Sequence, residues 1–432
     1  MNAPERPLAW SDRRPRYFAS GLDETDPAMA ALVGREQRRQ QDELELIASE
    51  NIVSRAVMEA QGSAVCNKTV EGYPGARYHG GAHVVDEIEA LACQRACALF
   101  GTRHANVQPH SGSQANLAVF KALLQPGDCV LSMDLRAGGH LSHGAKANLS
   151  GQYYRIVAYG VRPQDGWLDY EGLQALAEEH RPKLIVAGGS SYPRALDLPA
   201  LRRAADSVGA KLLVDMAHFA GLVAGKVLDN PATVADVTTT TTYKSLRGAR
   251  GGLILWNDEA LTRKLQAAIF PGVQGSPLMH MLAAKAVGLG EALDPSFADY
   301  ARRVQANARA LACSLLDRGL RLVTGGTDLP LLLVDLGGLP VNGAAAADFL
   351  GRLGLTCNKN LVPNDPRPPQ ETSGLRFGVS ALTTRGLDEA ELRTIGGWIA
   401  TALKSMAAGS EEGLAEIRAG VAELCHRHPI YR

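Results

Sequence analysis

The 432-residue chain carries no surplus of either charge: 45 Lys and Arg stand against 45 Asp and Glu, intermixed throughout. Such a balance leaves no electrostatic footprint for a nucleic-acid backbone or an anionic membrane, so any anion must be held at a local site. No run of about 18 apolar residues is present, which removes a membrane-spanning helix. The start of the chain lacks the basic-then-apolar order of a signal peptide, and Glu5 and Asp12 disfavour an acid-poor transit peptide. Seven cysteines contain no Cys-x-x-Cys pair. They read as reduced thiols of a cytoplasmic protein. Cys93 and Cys97 share a helix face, and His140 and His143 form an isolated pair; without a second ligand pair, no metal site is expected.

What is present is ample core material, with 46% hydrophobic residues in a length that suits roughly two or three domains. Short apolar or β-branched runs alternate with helical patterns between residues 80 and 290. Ile88, Leu91, Ala92, Arg95 and Leu99 predict a helix with an apolar stripe, stopped by Gly101. Leu117 to Leu124 predicts another, ended by Pro126-Gly127. The runs at Cys129, Leu184, Leu212, Thr238 to Thr242 and Leu253 lack strict alternation, which suits strands covered on both faces of a mostly parallel sheet. Beyond residue 294 come a long helical stretch (301 to 316), a strand near Leu331, a Pro-rich loop from Val362 to Pro369, a helix from Asp388 and a final amphipathic segment. The expected architecture is α/β: an N-terminal arm over residues 1–66, a large domain over 67–293, and a smaller α+β domain over 294–432.

Four segments place polar residues beside strand ends or glycine turns, where α/β proteins bind ligands. His110-Ser111-Gly112-Ser113-Gln114 opens a helix and offers hydroxyls and free N–H groups to a phosphate, although Ser at such a place also serves as a simple cap. Val214-Asp215-Met216-Ala217-His218 ends an apolar strand in a carboxylate, fit to hold a protonated pyridine nitrogen or merely to cap a turn. Thr242-Tyr243-Lys244 sets a lysine past a buried strand, where desolvation favours the free amine that Schiff-base chemistry needs, unless solvent reaches it. Gly374-Leu375-Arg376-Phe377-Gly378 offers a guanidinium for a carboxylate or for an interdomain salt bridge.

Together with Ile47-Ala48-Ser49-Glu50-Asn51, Glu71-Gly72-Tyr73-Pro74-Gly75, Gln108 to Asn116 and Asn358-Lys359-Asn360 through Asn364-Asp365-Pro366, these motifs resemble the serine hydroxymethyltransferase family, from about residue 25 to 405 and in family order. The resemblance implies a fold-type I pyridoxal-phosphate enzyme with a mainly parallel seven-stranded sheet. It moves a one-carbon unit between a β-hydroxy amino acid and tetrahydrofolate, in a homodimer or tetramer with the site at the subunit interface. It implies Lys244 as the lysine that carries the cofactor, Asp215 as partner of the pyridinium and His140 as the ring stacked on it. Ser111, Gly112 and Ser113 would cradle the phosphate, Gly275 would reach it from the neighbouring subunit, and His218 and Ser190 would touch the cofactor oxygen. Arg376 and Ser49 resemble the carboxylate-binding pair, and Glu71 the group that handles the hydroxyl proton and meets the folate. Leu135, Gly139, Leu141 and Asn360 fall at folate-contacting positions.

Three positions depart from the family pattern. Asn-Lys-Tyr becomes Asn67-Lys68-Thr69, Arg-Tyr-Tyr-Gly-Gly becomes Arg77-Tyr78-His79-Gly80-Gly81, and Thr-His-Lys becomes Thr242-Tyr243-Lys244. Loss of two phenol rings near the substrate would open space at Cα for a methyl group. The expected donor is therefore 2-methylserine, giving alanine, with serine and glycine secondary; one methyl is worth only about 1–3 kcal/mol. Thr69, Tyr78 and His79 join the expected substrate-binding set, and Tyr243 the catalytic one. The alternatives are an ordinary serine hydroxymethyltransferase, a folate-independent aldolase or threonine transaldolase, and a non-enzymatic cofactor-binding relic.

Overall fold

The computed structural model describes residues 10–431; positions 1–9 of the Pro- and Arg-rich start, with Glu5, lie outside the described residues, and Asp12 is described only as part of a helix. Seven strands form the central sheet: β1 (His104–Asn106), β2 (Cys129–Met133), β3 (Arg155–Tyr159), β4 (Leu184–Ala187), β5 (Lys211–Asp215), β6 (Val237–Thr241) and β7 (Gly252–Trp256). Their spatial order is β3-β2-β4-β5-β6-β7-β1. Strand β7 runs against both of its neighbours, whereas β2 to β6 are parallel.

The lack of alternation in the sequence has a simple cause. Successive residues of one strand enter two different apolar clusters, one on each face of the sheet. Ile185, Leu212 and Leu253 point into one cluster; Val186, Leu213 and Ile254 point into the other. All five residues of β2, β6 and β7 are buried. Each fully buried Leu or Ile side chain in these strands contributes about 1.5–3 kcal/mol.

The predicted helix before Gly101 spans His83–Phe100, and Gly101 closes it at φ 64°, a left-handed turn that glycine adopts without strain. Its inward face differs from the predicted stripe. Val85, Glu89, Ala92, Ala96 and Phe100 are buried, while Leu91 is 40% exposed. The inward face includes the polar Glu89, whose burial is offset by Arg77 at 2.6 Å and by Gln108 Nε2, which donates to its other oxygen at 2.8 Å.

A four-stranded antiparallel sheet follows, built from β8 (Arg321–Leu322), β9 (Leu331–Asp335), β10 (Asn358–Asn360) and β11 (Gly374–Gly378) in the order β8-β9-β11-β10. The predicted long helix extends over Ser296–Asp317 and packs on the helix Glu389–Ala408. Asp388 starts the latter with a capping box completed by Glu391. The last helix, Leu414–Arg427, buries Leu414, Ile417, Val421 and Leu424. Residues Leu44–Glu45 pair in parallel with Leu355–Thr356, and Gly378 N donates to Leu46 O at 2.7 Å. This stitches the chain that leads to Ser49 onto the end of the Arg376 strand. No helix among the described residues is long and apolar enough to cross a membrane.

Candidate active site

The C-terminal ends of β4, β5 and β6 converge on the N-terminus of the helix Gly112–Leu123 and form a cavity of about 70 Å³. Its lining contains Ser111, Gly112, Ser113, His140, Gly189, Asp215, Ala217, His218, Thr241, Tyr243 and Lys244. Sequence positions more than 130 residues apart are thereby brought together, at the crevice where open α/β sheets bind ligands.

Lys244 stands three residues past β6 and is 6% exposed. Burial pushes its ammonium down to about 8, against the opposing pull of Asp215, and Arg376 and Arg250 lower it further. Its Nζ lies 2.9 Å from His218 Nε2. Burial and the nearby cations hold His218 well below the usual histidine range, so its ring is neutral. Asn51 Nδ2 donates to the Lys244 carbonyl at 2.9 Å, and Thr384 Oγ1 donates to Asn51 Oδ1 at 2.7 Å. Asn51 thus ties the lysine backbone to the C-terminal part of the chain.

Asp215 ends β5. Burial alone would raise its carboxyl, but hydrogen bonds from His143 and Asn116 outweigh that cost and hold it well below the carboxylate range. His143 Nε2 lies 2.9 Å from Oδ2, Asn116 Nδ2 2.8 Å from the same oxygen, and Ala217 N donates to Oδ1 at 3.0 Å. Thr239 Oγ1 in turn donates to Asn116 Oδ1 at 2.6 Å. An anion so fixed favours protonation of a ring nitrogen placed against it.

His140 and His143 are therefore not an isolated pair. Their rings lie 5.4 Å apart, and with Asp215 they form a close trio of candidate ligand atoms. The sequence pairs His143 only with His140; its partnership with Asp215, 72 residues away, carries no local signal. Burial lowers His140 to about 4, and Ser142 N donates to its Nδ1 at 3.2 Å. A neutral, tethered imidazole of this kind suits stacking on a flat ring.

Ser111 caps the helix, the simpler of its two expected roles. Its hydroxyl accepts from Gln114 N at 3.2 Å as a helix cap, and it remains exposed together with Ser113. A hydroxyl that accepts one bond still has its proton to donate. A Cβ on Gly112 would lie 2.7 Å from Thr241 Cγ2, so glycine there keeps the cradle open. Thr241 Oγ1 and His218 Nδ1 are buried without a hydrogen-bond partner among the described residues. Orphaned polar atoms, an anchored carboxylate, a depressed lysine and a hydroxyl-lined helix start together fit a phosphorylated pyridine aldehyde.

Arg376 sits mid-strand in β11. It donates through Nη1 to Ser190 O at 2.6 Å and through Nε to Asn358 Oδ1 at 3.2 Å, and it makes no ion pair with any described residue. Burial lowers it only to about 10, so it stays charged. A guanidinium without its own acid is suited to an incoming carboxylate. The carbonyl of Ser190 accepts from Arg376, and the adjacent Gly189 lines the cavity. Asn360 lies two positions from Asn358 on β10 and shares its face, while Leu135 and Leu141 are 38% and 62% exposed near His140. Gly139 is packed so tightly that a Cβ would lie 2.2 Å from Met133 O, which leaves only its backbone for a ligand.

The remaining expected residues gather elsewhere. Thr69, Glu71, Tyr78, His79 and Gly275 do not line the Lys244 cavity. Glu71 Oε1 lies 3.3 Å from where a Cβ on Gly275 would stand, Val70 N donates to Ser276 Oγ at 3.1 Å, and Tyr78 meets Phe270 at 5.6 Å between ring centroids. Lys68 Nζ bonds both Thr69 O and Gly80 O at 2.9 Å. Arg77 anchors this hairpin through Asp86, Glu89 and Gly72 O. Tyr243 adjoins the main cavity, its ring covered by the Arg250 guanidinium at 4.3 Å.

Comparison with known proteins agrees with this geometry. The serine hydroxymethyltransferase family model matches residues 22–399. A serine hydroxymethyltransferase of Paramagnetospirillum magneticum is 56% identical over 96% of this chain and 98% of its own length. One of Jannaschia sp. is 54% identical over 100% of this chain and 99% of its own, and one of Acidiphilium cryptum 55% identical over 96% and 98%. The chain belongs to the serine hydroxymethyltransferase family, as a fold-type I, pyridoxal-phosphate-dependent hydroxymethyltransferase with tetrahydrofolate as co-substrate.

Proposed function

We propose that the chain transfers a hydroxymethyl unit from 2-methylserine to tetrahydrofolate, giving alanine, with serine and glycine as the secondary pair. The observation that carries this donor is the placement of the three departures from the family pattern. Thr69 lies two residues before Glu71, whose carbonyl accepts from Tyr78 N, the neighbour of His79, at 3.0 Å, and Tyr243 adjoins Lys244. All three flank reacting groups, where a misplacement of about an ångström is costly. The names of the relatives support serine as the donor, and that is the second reading.

Arg376, with Ser49, would receive the substrate carboxylate and so orient the amino acid for cleavage of its Cα–Cβ bond. When bound, pyridoxal phosphate supplies an electron sink for the pair released as that bond breaks. Asp215, held charged by His143 and Asn116, would keep a proton on the ring nitrogen, and His140 would lie against the ring. Lys244 would hold the cofactor aldehyde; once released from it, the amine, whose ammonium burial holds near 8, could take up a proton and deliver it to Cα. Glu71 handles the proton of the departing hydroxymethyl group. The grouping of Glu71 with Gly275, away from Lys244, supports a homodimer in which one copy lends this patch to the cavity of the other. The exposed Leu135 and Leu141 and the polar Asn360 suit the apolar and polar edges of a folate.

Product analysis with serine and with 2-methylserine, each with and without tetrahydrofolate, tests the reading. Alanine formed faster from 2-methylserine and only with folate is expected. Serine turned over far better than 2-methylserine overturns the donor, and equal rates without folate point instead to an aldolase.

A further inference from the structure

Lys285 lies within the helix Met279–Leu293, is 2% exposed and takes no part in the chemistry above. Its ammonium donates to three backbone carbonyls, those of Val107 at 2.6 Å, Pro109 at 2.9 Å and Gly252 at 3.0 Å. It makes no ion pair with any described residue. A buried cation without an acid is costly to desolvate, and here burial pushes the group down to about 7. An apolar side chain of equal length would avoid that cost, so the charge calls for a reason.

The positions of the three acceptors supply one. Val107 and Pro109 lie on the segment that leaves β1 for the Ser111–Ser113 turn, and Gly252 opens β7 beside it, donating its own N–H to Pro109 O at 2.9 Å. The packing leaves no slack. A Cβ on Gly252 would lie 2.3 Å from Ser111 O, and one on Gly251 2.0 Å from Lys285 Cε. The same charge reaches His110, which burial lowers first and Lys285 lowers further.

We propose that Lys285 is a positioning residue for the cofactor phosphate, its ammonium bracing the chain that enters the Ser111–Ser113 turn and adding a positive charge beneath it. The proposal rests on the reading that the phosphate occupies that turn. A brace of this kind favours the phosphorylated cofactor over the same aldehyde without its phosphate, whereas a residue serving only the core affects both alike.

The test is the ratio of dissociation constants for pyridoxal and pyridoxal phosphate, titrated by absorbance into cofactor-free full-length protein. Lys285→Met and Lys285→Gln are expected to weaken pyridoxal phosphate about tenfold or more with little change for pyridoxal, as for lost bonds to a charged group. Lys285→Arg, which keeps the charge, is expected to preserve the ratio. Lys285→Gln retains two N–H donors and carries the comparison if Lys285→Met does not fold. Ser113→Ala serves as the reference. If it lowers the ratio while the Lys285 variants leave it unchanged, the proposal is overturned and the cradle stands; if none of them lowers it, both fall.

Discussion

Replacing Arg376 by Lys keeps a positive charge in β11 but removes the planar fork. In the structure that fork already spends Nη1 on Ser190 O and Nε on Asn358 Oδ1, at 2.6 and 3.2 Å, which orients the rest of the guanidinium for an incoming carboxylate. A lysine ammonium cannot hold both neighbours and still present two parallel N–H groups. Each charge-assisted hydrogen bond contributes about 1.5–3 kcal/mol, so loss of one good bond and part of the positioning amounts to about 3 kcal/mol, or roughly a hundredfold in affinity. Spectral titration of the holoenzyme with amino acid measures this directly, because the cofactor absorbs in the visible range. The expected result is about a hundredfold rise in the dissociation constant with an unaltered resting spectrum and unaltered cofactor affinity. A rise below about threefold, or a parallel loss of cofactor, would refute the assignment of Arg376 to the substrate carboxylate.

Further outcomes follow from the same geometry. Lys244→Ala abolishes the visible absorption of the lysine-bound cofactor; an unchanged spectrum removes Lys244 from its role. Because burial holds Lys244 near 8, below the usual lysine value, its reactive free amine accumulates as pH rises through 8, so the rate of cofactor capture by apoprotein climbs and then levels above that pH. A rate still climbing steeply above pH 10 contradicts this. Mixing inactive Lys244→Ala and Glu71→Gln subunits restores about a quarter of wild-type activity if each site draws on two copies, since half the dimers are mixed and each has one intact site. Mixed dimers with no activity place both residues in one chain.

Much of this site was legible in the sequence because its signals are local. Asp215 follows an apolar run, Lys244 follows five β-branched residues, and Ser111 precedes a helical pattern, so strand ends and helix starts located them without a fold. What escaped has no local signature. His143 and Asn116 hold Asp215 from 72 and 99 residues away. Lys285 looks in sequence like a solvated helix residue, and only the fold brings three carbonyls to it. Glu89 is buried on the inward face of its helix with Arg77, twelve positions earlier, and Gln108 as partners. Polar groups whose burial is paid for by distant partners defeat a reading based on hydrophobic periodicity.

The donor claim is tested most directly by the ratio of kcat/KM for 2-methylserine over serine, measured with tetrahydrofolate in the wild-type chain and in a Thr69→Tyr, His79→Tyr, Tyr243→His variant that restores the family pattern. The account predicts a wild-type ratio above one and a fall of roughly 10–200-fold on restoring the rings, the range a single methyl group commands in a fitted pocket. A wild-type preference for serine, or a ratio that the triple substitution leaves unmoved, would contradict it.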